Sequence, residues 1–183
     1  MEVLTAIESR ASALKLTEPG PTRAHLEQIM RAGVRGPDHG RLRPWRFVVL
    51  EGAAREKLGN EMARLSLAKF PQSTPEQLDG ARRKAFRAPV IVVAAARITQ
   101  GKIPEVEQIA AVAAGVENMV LAAQALGYGA MWKTGAPAYD AQAKTMLGLT
   151  AQDHIVAFLY LGTTALAGTA TPASLDGAVS WLK

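Results

Sequence analysis

Apolar positions recur along the chain with two spacings, and these spacings predict its helices and strands. Helical spacing is clearest after Thr22, a potential N-cap, where four residues fall on one face: Leu26, Ile29, Met30 and Gly33. Similar patterns predict helices at 3–9, 53–69, 76–86, 104–126 and 139–147. Runs of apolar, often β-branched residues predict strands at 46–50, 88–96, 128–133 and 155–161.

Two predicted elements are apolar on all sides, which indicates burial. Strand 88–96 is nearly continuous in apolar residues, as expected for a central strand with both faces covered. Helix 104–126 is apolar nearly all round, which fits either a core or a subunit interface. Because strands alternate with helices, the fold class is α/β or α+β, with helices covering one main sheet. At 183 residues, without repeats or an evident linker, we expect a single domain over 1–183.

Composition narrows the possible chemistry. The chain has no cysteine, which excludes disulfides, Cys-zinc sites and thiol nucleophiles. We see no signal peptide and no apolar run of membrane-spanning length, and we expect a cytoplasmic protein. The three histidines are too scattered to predict a metal site, and no P-loop, nucleophile elbow or dinucleotide fingerprint occurs. The sequence therefore predicts no catalytic side chain, which suits an enzyme whose cofactor carries the chemistry.

The net charge of +5 leaves a basic nucleic-acid-binding module as an alternative. The basic residues do not form one stripe, because they concentrate around 31–46 and 82–87. Few aromatic residues interleave with them, whereas stacking of bases would require more. We therefore expect no nucleic-acid partner.

Three short motifs carry candidate chemistry. The first, Ser9-Arg10-Ala11-Ser12, follows the N-terminal helix. The second is the loop 35–47, which we call the arginine loop because it holds four arginines among glycines and prolines. The third is the glycine-rich segment 127–135. Glycine and proline hold such a loop rigid, and arginine forks suit phosphate or carboxylate. The arginine loop thus predicts a site for an anionic, planar ligand, unless it is simply a solvated basic loop.

In order and spacing, from residue 4 to about residue 163, these motifs together resemble the nitroreductase family of FMN-dependent oxidoreductases. That family has an Arg-Arg-Ser or Arg-His-Ser triplet after its first helix and a Pro-Trp-x-Phe loop after its second. A Gly-x-Gly-x-x-Trp-x-x-Gly strand follows late in the chain. Asp38-His39 and 158–162 match the family's short branch of NAD(P)H nitroreductases.

The resemblance implies an α+β, nitroreductase-like fold with a mixed central sheet covered by helices. It also implies an intertwined homodimer with FMN at the subunit interface. The expected reaction is ping-pong transfer of electrons from NAD(P)H to a small-molecule acceptor, such as a nitroaromatic or a quinone. Flavin fragmentation and reductive dehalogenation are the alternatives on the same fold.

The resemblance also assigns the cofactor site. Its FMN-binding residues are Arg10, Ala11, Ser12, Lys15, Trp132, Lys133 and Thr134, with Arg35 and His39 contributed by the partner subunit. Ala11 replaces the usual Arg or His, and Arg43 replaces the usual Gln, so two contacts differ from the family pattern. Gly135 is expected to allow close approach of the backbone to the flavin ring. Asp38 is expected to form a turn or pair with an arginine.

Overall fold

The computed structural model describes residues 2–171 and 173–182, and its elements lie close to those predicted. In chain order they are α1 (Val3–Ser9), β1 (Lys15–Thr17), α2 (Arg23–Gly33), β2 (Trp45–Glu51), α3 (Ala54–Lys69), α4 (Pro75–Arg83), β3 (Val90–Ala96), α5 (Glu105–Ala125), β4 (Gly129–Lys133), α6 (Ala141–Met146) and β5 (His154–Leu166). Thr22 caps α2 by accepting a hydrogen bond from the His25 amide, as predicted. The three-residue β1 was missed because it is too short to show a spacing, and β5 extends five residues beyond its predicted end at 161.

The sheet has β3 between β2 and β5, and both β1 and β4 pair with β5. The α+β class is confirmed. The sheet differs from the expected mixed sheet, because every pairing among the described strands is antiparallel. The connection between β2 and β3 explains their antiparallel pairing: two helices, α3 and α4, return the chain to the end of the sheet at which β2 stops. Glu51 at the end of β2 therefore lies opposite Val90 at the start of β3.

The two faces of the sheet are both covered. All seven residues of β3 are buried, which confirms its predicted central place. On one face, Ile91 and Phe158 belong to the same apolar cluster as Leu58 of α3. On the other face, Val92 packs in a cluster with Met119 of α5 and residues of α2. The sheet thus supports a helical layer on each side.

Helices α2 and α5 approach each other closely at two glycines. A methyl group on Gly115 would lie 2.4 Å from the carbonyl oxygen of Gly33, so only glycine permits this crossing. Just beyond α2, Gly36 packs against the backbone of Ala111. The indole nitrogen of Trp45 also donates to the Ala111 carbonyl, at 3.4 Å. Both ends of the arginine loop are therefore anchored to α5.

By length and composition alone, α5 could cross a membrane, contrary to the expectation that no segment would qualify. In this fold its apolar residues form part of the core, because Val112, Val116 and Met119 are fully buried against the sheet and α2. Val106, near its start, is 68% exposed. Burial of one long face is what a core helix requires, so the apolar composition of α5 has a structural cause within this fold.

Candidate functional site

The segment between α1 and β1 runs alongside β4 and the end of β5. The amide of Ala13 donates to the carbonyl of Ala130 at 3.0 Å, and the amide of Leu14 donates to the carbonyl of Leu166 at 2.9 Å. These bonds bring two of the predicted motifs together, because Lys133 ends β4. Five of the predicted cofactor residues line two clefts: Arg10, Ala11, Ser12, Lys15 and Lys133.

The first cleft, which we call the Arg10 cleft, has a volume of about 720 Å³. It is lined by Ile7, Glu8, Arg10, Ala11 and Ser12, and by residues of the segment after β5, namely Thr169, Ala170, Thr171 and Ala173. That segment lies directly on the motif, since a methyl group on Gly168 would lie 2.2 Å from the Ser12 carbonyl oxygen.

Thr169 and Thr171 are therefore candidate site residues that the sequence did not reveal. The segment that holds them has no periodic pattern in the sequence. Its first residues cover the chain's own Ser12. Threonine hydroxyls at a cleft wall can donate hydrogen bonds to an anionic oxygen.

Arg10 has an ion-pair partner in its own chain. Its Nε lies 3.5 Å from a carboxylate oxygen of Glu117 on α5, and the two side chains are 38% and 44% exposed. A half-exposed pair at this distance is weak. The arginine is therefore held near the cleft and remains accessible to a stronger anion.

The second cleft, which we call the Lys15 cleft, has a volume of about 510 Å³. It is lined by the segment 13–16, by Met131 and Lys133 of β4, and by Phe86 and Arg87. No aspartate or glutamate lines it. Within residues 2–171 and 173–182, Lys15, Arg87 and Lys133 form no ion pair. Three cations without carboxylate partners make this cleft strongly attractive to an anion.

Trp132 and Thr134, the other predicted residues of β4 and its end, have different surroundings. The indole nitrogen of Trp132 donates to the Val156 carbonyl at 3.0 Å, so this side chain is fixed on the sheet and partly exposed. Thr134 is exposed. Gly135 has a φ of 123° and no atom within 4 Å of the position its Cβ would occupy. Backbone conformation, rather than a close contact within this chain, is what requires glycine there.

The arginine loop is held in a strained shape by Asp38. The Asp38 carboxylate accepts hydrogen bonds from the amides of Leu42 and Arg43, at 3.2 and 2.8 Å, which confirms its predicted turn-forming role. Arg41 and Arg43 both have positive φ angles, of 55° and 52°. Non-glycine residues in this region are uncommon and are concentrated at functional sites.

The single chain does not bring Arg35 and His39 to either cleft. Neither residue lines the Arg10 cleft or the Lys15 cleft. The His39 ring instead contacts the carboxylate of Glu107. Glu107 precedes Glu117, the partner of Arg10, by ten residues on α5, which is about 15 Å along the helix axis at about 1.5 Å per residue. The predicted site is therefore assembled within one chain only in part.

The remaining histidines have partners of their own. His25 contacts the Tyr128 hydroxyl at 2.8 Å, and His154 pairs with Glu105 at 2.6 Å. Across residues 2–171 and 173–182, no three histidine or acidic side chains gather as a metal site would require.

The whole chain matches solved structures of one fold. The crystal structure of a nitroreductase-like protein from Bacillus cereus superimposes with a TM-score of 0.84 at 21% identity, covering 100% of this chain and 97% of that one. A crystal structure from Desulfovibrio desulfuricans, described as "a putative nitroreductase in complex with fmn", superimposes with a TM-score of 0.77 at 24% identity, covering 100% of this chain and 98% of that one. These likenesses establish a nitroreductase-like fold.

Sequence relationships carry the assignment further. The model of the nitroreductase family matches residues 7–163, and the chain belongs to that family. It is 38% identical over 167 residues to an Escherichia coli K12 protein named "Putative NAD(P)H nitroreductase YdjA", covering 91% of this chain and 90% of that protein. A Haemophilus influenzae protein named "Putative NAD(P)H nitroreductase" is 33% identical over 165 residues, covering 89% of each.

Proposed function

We propose that this chain is an FMN-dependent oxidoreductase that passes electrons from NAD(P)H to an electron-poor acceptor, such as a nitroaromatic or a quinone. The observation that carries the proposal is that the segment after α1 is hydrogen-bonded to β4, with Arg10 and Ser12 lining one cleft and Lys15 and Lys133 lining a second. Family membership, the names of the relatives and the FMN complexes among the solved structures support the same proposal.

The residues present fit the cofactor. Arg10, the Ser12 hydroxyl and the threonines 169 and 171 offer a cation and neutral donors for the phosphate in the Arg10 cleft. Lys15 and Lys133 offer unpaired cations in the Lys15 cleft, where negative charge on a reduced flavin ring needs compensation. FMN, when bound, would supply the hydride chemistry by which electrons pass from NAD(P)H to the acceptor. The protein's own part is to bind, orient and provide charge.

The mechanism we propose is ping-pong, with the nicotinamide cofactor and the acceptor using one binding place in turn. The functional unit is a homodimer in which Arg35 and His39 of one subunit complete the site of the other. Two features support this arrangement: the separation of the arginine loop from the clefts along α5, and the exposed apolar residues of the segment 173–182. Leu175, Trp181 and Leu182 are 72%, 86% and 98% exposed.

The cofactor is tested by purifying the protein, reconstituting it with FMN or FAD, and releasing the bound flavin by heat for chromatography. We expect FMN. Without oxygen, the loaded enzyme should oxidise one equivalent of NADH or NADPH per flavin and turn over only when an acceptor is added. Initial-rate plots at several acceptor concentrations should give parallel lines. Binding of FAD, or of no flavin after reconstitution, would contradict the proposal. Converging lines would contradict the ping-pong order alone.

A further inference from the structure

Phe86 and Arg87 line the Lys15 cleft, and the proposed function gives them no role. They lie where a short 3₁₀ turn, Lys84–Phe86, leads into β3, which begins at Val90. Ala88 and β3 are buried, so the backbone on the far side of Arg87 is fixed in the core. Two exposed side chains are thus presented to the cleft from a rigid base.

The Phe86 ring is held in place while it remains accessible. The guanidinium of Arg55 lies 5.2 Å from the ring centroid, and its Nη1 donates to the Ala88 carbonyl at 2.7 Å. The ring is nevertheless 44% exposed. An aromatic side chain that is braced by a cation and open to a cleft provides a contact surface for a planar ligand.

Arg87 provides the charge. It is exposed and shares the cleft with Lys15 and Lys133, and none of the three has an ion-pair partner among the described residues. A planar guanidinium can bind a carboxylate or a phosphate through two parallel hydrogen bonds, which neither lysine can do. Arg87 is therefore the residue in this cleft best suited to recognise an anionic group by its shape.

We propose that Arg87 and Phe86 form a subsite for a planar aromatic substrate that carries an anionic group. Arg87 binds the carboxylate or phosphate, and Phe86 packs against the ring. The inference rests on the proposed function, in which Lys15 and Lys133 serve the flavin beside this subsite. The anionic group has two sources with the same chemistry, an acidic acceptor or the phosphates of the nicotinamide cofactor.

The test uses two acceptors that differ in charge and little else, 4-nitrobenzoate and 4-nitrobenzamide. Each is titrated calorimetrically into the FMN-loaded protein and then used as acceptor in steady-state assays. In Arg87→Gln, the ratio of nitrobenzoate to nitrobenzamide affinity and the same ratio of kcat/KM should each fall about tenfold, the low end of what a hydrogen bond to a charged group contributes. Arg87→Lys should restore part of each ratio. Lys84→Gln, an exposed neighbour outside the cleft, is the matched control and should keep both ratios.

The two sources give different results. A fall in the acceptor ratios assigns the subsite to an acidic acceptor. Unchanged acceptor ratios with a tenfold higher KM for NADH or NADPH in Arg87→Gln assign it to the nicotinamide cofactor. If neither changes, or if Arg87→Gln loses FMN instead, the subsite does not exist as proposed. The FMN affinity of the wild type is measured first, because a wild type that does not bind FMN would overturn the proposed function. In that case, calorimetry with the two acceptors on the protein as purified still tests the subsite.

Discussion

At the scale of single residues, Arg10 has one anionic partner in the structure, Glu117, and a second under the proposed function, the phosphate of FMN. Its pair with Glu117 joins two half-exposed side chains, and pairs of this kind contribute about 0–1 kcal/mol. A hydrogen bond from arginine to a phosphate contributes about 1.5–3 kcal/mol. We therefore propose that Glu117 holds Arg10 near the cleft and is displaced from it by the phosphate of FMN.

The first prediction separates these two partners. Arg10→Ala should weaken FMN binding by about one to two decades, because it removes the charged hydrogen bond to the phosphate. Glu117→Gln should strengthen binding by a few fold, since it removes a competing carboxylate at nearly constant size. Quenching of FMN fluorescence on binding measures both. If Glu117→Gln weakens binding as much as Arg10→Ala, the ion pair builds the site rather than competing with the ligand.

A second prediction concerns Lys133, an unpaired cation at the end of β4. Lys133→Ala should lower the midpoint potential of the bound flavin and slow its reduction by NAD(P)H, because a nearby positive charge favours the reduced, anionic ring. Redox titration against a dye of known potential measures the shift. Lys57→Ala, on the exposed face of α3, is the control for general loss of charge. A midpoint potential that is unchanged or raised in Lys133→Ala would exclude the proposed role of Lys133 beside the flavin.

A third prediction follows from Tyr160 of β5, which is 2% exposed. Burial raises the pKa of its phenol to about 12, although the positive charge of Arg87 opposes the rise. The unfolded phenol ionises near pH 10, so the folded state favours the neutral form. The free energy of unfolding should therefore fall between about pH 10 and pH 12, by up to about 2.7 kcal/mol at about 1.36 per pKa unit. Urea unfolding of Tyr160→Phe should show a shallower alkaline decline, and an unchanged decline would exclude Tyr160 as its source.

At the scale of elements, the contact between Gly168 and Ser12 joins the segment after β5 to the N-terminal motif. The contact leaves no room for a side chain, because a Cβ would meet a backbone oxygen that cannot turn aside. The position of Thr169 and Thr171 in the Arg10 cleft depends on it.

The fourth prediction is that Gly168→Ala will separate these two segments. We expect a loss of stability of about 1–3 kcal/mol, typical of overpacking, together with weaker FMN binding. Thermal unfolding with and without FMN measures both. Gly101→Ala is the matched control, since its Cβ would meet nothing within 4 Å and its φ is not in the left-handed region. Equal behaviour of the two variants would show that the tail is free to move away from Ser12.

At the scale of the whole molecule, most of the predicted site residues are divided between the two clefts and the arginine loop. Arg10 lies beside Glu117 and His39 beside Glu107, ten residues apart on α5, and we propose that a site using both is built from two chains. A ligand bound only by the dimer must stabilise the dimer by mass action, and FMN should shift the monomer–dimer equilibrium accordingly.

The fifth prediction uses mixed dimers. One chain carries Arg10→Ala and the other carries both Arg35→Ala and His39→Ala. In the heterodimer, one site collects all three substitutions and the other site has none. At an FMN concentration that loads neither homodimer, mixing the two should therefore restore activity, through one working site per heterodimer. Heterodimers that form without regaining activity would place both motifs in one subunit's site.

How much the sequence revealed depended on periodicity. The regular spacing in α2, α3 and α5 predicted these helices within two residues, and the apolar run of β3 predicted its burial on both faces. Motif order predicted that the segment after α1 and the end of β4 share a site. Thr169 and Thr171 escaped prediction because their segment has no spacing and acts only through a tertiary contact. Phe86 and Arg87 escaped because a basic run beside a helix is ordinarily a solvated face.

The contact of Gly168 with Ser12 also sets the moment at which the site can exist during synthesis. Residues 7–12 leave the ribosome about 160 positions before residues 168–171 and 173. The part of the Arg10 cleft formed by residues 7–12 is therefore synthesised before the part that follows β5, and the cleft is complete only when both are present. A nascent chain released before residue 168 would carry Arg10 and Ser12 yet lack the wall that closes over them. Retention of FMN at the proposed site would thus report that translation has passed residue 168.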